Sequence, residues 1–147
     1  MLKVKLHAKG IDSKFRMALR VCVEHTLKEL GVSKRLRDRL EVSLHLRHHA
    51  AEGEAMISEW ADRYRPREFR VIIDHHRLTH DEYGREKSET EWAHDVIKTL
   101  CHELVHVSDY ISGELSWRDS GLLWRGVKHD AETLADYFKL PYEIRAY

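Results

Sequence analysis

Two spacings of apolar residues alternate along this chain and divide it into strands and helices. Leu2-Lys-Val-Lys-Leu-His-Ala8 alternates apolar with polar, the mark of a half-buried strand. Gly10 breaks it, and Asp12 or Ser13 can cap the next element. Phe15, Ala18, Leu19, Cys22, Leu27 and Leu30 then recur at helical spacing until Gly31. Residues 40–46 alternate again, with Val42, Leu44 and Leu46 on one side. The stretch 48–53 reads as a turn, and 54–60 as a more polar strand suited to a sheet edge. Phe69-Arg-Val-Ile-Ile73 is the most β-prone run and predicts a central strand. Residues 74–89 are polar and predict a long loop, either a lid over a site or a disordered connector.

Helical spacing returns in Ala93, Ile97, Leu100, Leu104, Val107 and Ile111. Ser88 or Thr90 can cap this helix, and Gly113 ends it. The stretch 115–126, with Trp117, Trp124 and two glycines, reads as a connecting segment over the core. Residues 129–138 have helical character, and Pro141 can open a last short helix. The 147 residues predict one domain, 1–147, of α+β class. Its expected build is a twisted, mixed sheet of three or four strands against the N-terminal helix and the helix after Ser88.

Charge narrows the partners. There are 25 basic and 25 acidic residues, so no overall field recruits nucleic acid or an acidic membrane surface. The basic run Lys34-Arg-Leu-Arg-Asp-Arg39 has no aromatic interleaving and reads as a solvated helix face or turn. No apolar run approaches ~18 residues and no N-terminal signal pattern is visible, so a cytoplasmic protein is expected. Cys22 and Cys101 both fall in apolar helical stretches and read as buried free thiols, with Cys101 turned to the core.

The candidate chemistry lies in His102-Glu103-x-x-His106. On a helix, residues i and i+4 share a face, so two imidazoles can meet one zinc ion. Glu103 falls about 100° round from His102 and is left beside the metal, placed to handle the proton of an attacking water. The two histidines point away from the centre of the apolar stripe, where a cleft would lie. Catalytic zinc usually takes three protein ligands. The downstream candidates for the third are His129, Asp130, Glu132, Asp136 and Glu143. Glu132 and Asp136 have the spacing of the zinc-binding glutamate and supporting aspartate in thermolysin-like enzymes, while Glu143 sits among apolar residues in the last helix. The adjacent pairs His48-His49 and His75-His76 diverge on a loop or strand and make poor ligand sets. Tyr110, Tyr137 and His129 are candidate oxyanion donors, and Asp109 and Asp136 candidate supports for a ligand histidine.

The segments His102-Glu-Leu-Val-His-Val-Ser-Asp-Tyr110, Gly113-Glu-Leu, Trp124-Arg-Gly126, Tyr137 and Pro141-Tyr-Glu-Ile-Arg-Ala-Tyr147 resemble the small HExxH metallopeptidase-like proteins of bacteriophages and bacteria. The resemblance covers about the last third of the chain. It implies a minimal zincin of gluzincin type, with His102, His106 and Glu143 as zinc ligands and Glu103 as general base. It further implies a peptide or protein substrate bound along a sheet edge by strand addition. If the chain is phage-encoded, its compartment is the host cytoplasm. Two positions depart from the pattern. Ser108-Asp109 stands where lysine-glutamine is frequent, and Arg145 where a second acid is frequent. Two alternatives stand beside this reading. One is a zincin scaffold that binds metal or a partner without turnover. The other is a SprT-like protease acting near DNA, with His129 as third ligand.

Overall fold

The computed structural model describes residues 1–129, 136–137 and 139–146, with Ile144 by its backbone alone. The chain runs β1 (Lys3–His7), α1 (Ser13–Glu29), α2 (Lys34–Arg37), β2 (Glu41–Leu46), β3 (Gly53–Ile57), β4 (Glu68–Ile73), α3 (Glu89–Ser112), β5 (Leu115–Arg118), β6 (Gly121–Trp124), β7 (Val127–Lys128) and α4 (Pro141–Ala146). The class is α+β, as expected. The main sheet has the order β1-β2-β4-β3. β1, β2 and β4 are parallel, and β3 runs antiparallel along one edge.

Register explains the core. Val42, Leu44 and Leu46 of β2 lie opposite Phe69, Val71 and Ile73 of β4. The period of two puts all six on one face, and all six are buried. Leu19, Val23 and Leu27 of α1 and Val96, Leu100, Leu104 and Val107 of α3 complete the same cluster. α3 packs against α1, β3, β4, β5 and α4 and is the pillar of the molecule. Its ends are fixed locally. Ser88 and Glu91 form a reciprocal capping box, and Gly113 closes the helix at φ 86°.

Three expectations need correction. The stretch after α3 is a three-stranded meander, β5-β6-β7, and not an irregular connector. Its strands are too short to display a period, but Gly121 and Gly126 sit at positive φ where the chain turns. Residues 74–89 are neither lid nor disordered connector. A 3-10 turn spans Arg77–Thr79, His80 bridges Glu86, and the Trp92 indole N–H donates to the His75 carbonyl. Asp74 fixes the start, accepting from the His49 backbone N–H and from Arg77. The cysteines are free but half-buried, and Cys101 faces α1. Among the described residues, no helix is long and apolar enough to cross a membrane.

Candidate metal centre

A helix with one apolar stripe normally leaves its other face to water. The second half of α3 does not. Glu103, His106, Ser108, Asp109 and Tyr110 are all buried, because α4 and β3 cover the polar side. The i, i+4 spacing brings the rings of His102 and His106 to 4.9 Å between centroids, at 87° to each other. α4 inserts Glu143 between them. Its Oε2 lies 3.0 Å from His102 Nε2 and its Oε1 3.1 Å from His106 Nε2. The donor atoms of these three residues all fall within 4.8 Å of one another.

This group could hold a metal ion, and its chemistry fits one. Two imidazoles and a carboxylate are a recurrent catalytic donor set for zinc. His106 Nε2 is buried and has no partner of hydrogen-bond geometry, despite its closeness to Glu143. A buried polar atom left so is costly unless something else satisfies it. Charge follows the geometry. Burial pushes the Glu143 carboxyl up, but the hydrogen bond from His102, the close imidazole of His106 and the Tyr137 hydroxyl outweigh it and hold the group at about 2. Burial lowers His102, yet the bond to Glu143 and the charge of Glu103 leave it raised.

Glu103 lies beside this group, 6 % exposed. Burial lifts its carboxyl to about 7, against the charges of His106 and His102. Its cover is the start of β3. A Cβ built on Gly53 would meet Glu103 Oε1 and Thr99 Cγ2 at 2.9 Å each. Only a residue without a side chain lets the edge strand pass this close to the helix. In sequence, Gly53 suggests no more than the end of a turn.

β3 then forms one wall of a cleft of about 570 Å³. Met56 and Ile57 line that wall, Leu115, Trp117 and Leu122 of the meander face them, and Glu103, His106 and Glu143 lie along the floor. Tyr110 and Tyr137 also reach the cleft, whereas His129 is exposed and does not. Tyr142 lines it too and meets the His106 ring edge-on at 6.1 Å. The sequence reading missed Tyr142. Its place directly before Glu143 was the available signal.

The other third-ligand candidates fare differently. Asp136 is exposed and His129 is not among the converging donors. Asp130 and Glu132 lie outside the described residues. His48 stacks on His76, His75 lies tilted against His76, and His49 sits 2.6 Å from Glu54. None of them joins a metal-ligand group among the described residues.

Asp109 and Arg145, singled out separately in the sequence, touch each other. Asp109, 0 % exposed, accepts a 2.7 Å bond from Arg145 Nε. Its other oxygen, Oδ2, is buried with no hydrogen-bond partner, so Asp109 makes no bond to a ligand histidine. It fastens to α3 the short helix that carries Glu143. Comparison with protein-family models, curated proteins and solved structures finds no match to this chain.

Proposed function

We propose that this protein is a small zinc-dependent metallopeptidase with a zincin-like plan of sheet, motif helix and C-terminal ligand helix. The observation behind this reading is the convergence of His102, His106 and Glu143 beside the buried Glu103, with Glu103, His106 and Glu143 lining a cleft along an edge strand. Those three residues would hold the ion. Paired imidazoles favour zinc over magnesium or calcium, which prefer all-oxygen sets. When bound, zinc supplies Lewis acidity at neutral pH.

The chain's own residues do the rest. Glu103 takes a proton from the attacking water and passes it to the leaving amine. Burial keeps that carboxyl away from competing solvent. Tyr110 lines the cleft and offers its hydroxyl to the charge that develops on the scissile carbonyl oxygen, whereas the Tyr137 hydroxyl is engaged with Glu143. The outer edge of β3 has no neighbouring strand among the described residues, and an extended peptide can pair with it. The substrate class is therefore a protein or peptide in extended form.

Zinc content and turnover test this together. The wild type should bind one zinc per chain and cleave an unfolded protein substrate. Glu103→Gln should retain the zinc and lose hydrolysis by several orders of magnitude, whereas Glu143→Ala should lose most of the zinc. A Glu103→Gln protein as active as the wild type overturns the assigned base. Zinc retained equally by Glu143→Ala overturns the third ligand. A wild type that binds zinc and hydrolyses nothing favours the silent scaffold.

A further inference from the structure

Cys22 and Cys101 lie away from the cleft, where α1 packs on α3. Their sulfurs are 3.7 Å apart. The Thr26 hydroxyl touches both, at 3.7 Å from Cys22 Sγ and 3.6 Å from Cys101 Sγ. Cys22 and Thr26 are one helical turn apart on α1, so a single face of that helix offers a thiol and a hydroxyl to Cys101. Both cysteines are half-buried, so a small reagent can reach the pair without unfolding the protein. The sulfurs are already in van der Waals contact. A disulfide has a sulfur–sulfur distance of about 2.05 Å, and the remaining approach of roughly 1.7 Å lies within the reach of side-chain rotation and a small helix shift.

We infer that Cys22 and Cys101 are a reversible oxidation site, forming a disulfide that staples α1 to the metal-binding helix when the protein meets a small-molecule disulfide. One cysteine, as thiolate, attacks a sulfur of the reagent and expels one small thiol, leaving a mixed disulfide. The second cysteine, also as thiolate, attacks the protein sulfur of that mixed bond, forms the Cys22–Cys101 bond and expels the second small thiol. The two protons from the cysteines end on the two small thiols. The pair loses two electrons, and the reagent gains them. The bond closes a loop between positions 79 apart in sequence and restricts the unfolded chain. It also fixes α3 one residue before His102. The oxidation needs no metal, and its readouts are independent of hydrolysis.

The test treats the folded 147-residue chain with excess oxidised glutathione, in the absence of other oxidants. The wild type should lose both free thiols, become lighter by two hydrogens and remain a single chain on a non-reducing gel. Its Tm should rise by roughly 10–15 °C, the scale expected for a loop of this length. Dithiothreitol should reverse every change. Cys22→Ser and Cys101→Ser should each end with one bound glutathione and no rise in Tm. Two thiols left free, a glutathione on each cysteine, chains linked to one another, or a bond formed only in denaturant would overturn the inference.

Discussion

At the scale of the residue, the site depends on a side chain that is missing. Gly53 lets β3 lie directly over Glu103 and Thr99. Its backbone angle is not in the left-handed region, so alanine fails there for want of space alone. Gly53→Ala should lower stability by about 1–3 kcal/mol, the usual cost of overpacking, read as a fall in the urea midpoint. It should also impair hydrolysis while zinc content is kept, because the added methyl meets the base and none of the three ligands. An unchanged midpoint and rate would mean that β3 does not press on Glu103. His102, Glu103 and His106 were legible from spacing, since i, i+4 geometry follows from the helix alone. Gly53 was not. Its reason for being glycine is a helix 50 positions downstream, and no local pattern contains that contact.

At the scale of the element, burial sets the protonation of the sheet's second face. His45 of β2 lies opposite His7 of β1, with the rings stacked at 4.3 Å. Burial, then the charges of His7, Arg47 and Arg70, push the His45 imidazole from 6.5 down to about 4. The folded state therefore holds His45 neutral where the unfolded chain would protonate it. The unfolded state binds more protons, so stability is full above pH 6.5 and is lost as pH falls towards 4. His45→Gln should flatten this part of the profile, measured as urea midpoints at pH 7 and pH 5. An identical drop in both proteins would show that His45 does not titrate on unfolding. The apolar stripe of α3 was equally plain in sequence. The burial of its other face was not, because α4 and β3 supply that cover and a single helix's pattern reports only its own residues. The meander after α3 was missed for a related reason. Strands of two to four residues are too short to show alternation.

At the scale of the whole molecule, the His102, His106 and Glu143 group comes together only once α4 has docked. Arg145 and Asp109 make one clamp for that docking, 36 positions apart. Burial raises the Asp109 carboxyl and the Arg145 charge opposes the rise, so the carboxylate relies on its partner. Asp109→Asn should loosen α4 and weaken zinc binding by about 10–100-fold, the range seen when a support behind a ligand is removed. Competition with a chromogenic chelator measures it, and circular dichroism checks that the fold persists. Unaltered zinc affinity would show that apolar packing alone seats α4. The sequence presented Asp109 and Arg145 as two unrelated positions, and the fold shows them to be partners.

The sequence by itself determined the order of the strands and of the two long helices up to Gly113, the span of the motif helix and the sharing of one face by its two histidines. These are consequences of local geometry and of apolar period. The tertiary structure decided which carboxylate meets those histidines, why Gly53 must be small, and which face of α3 becomes a floor. Each of these joins residues far apart in the chain, and hydrophobic periodicity has no means of encoding such a meeting.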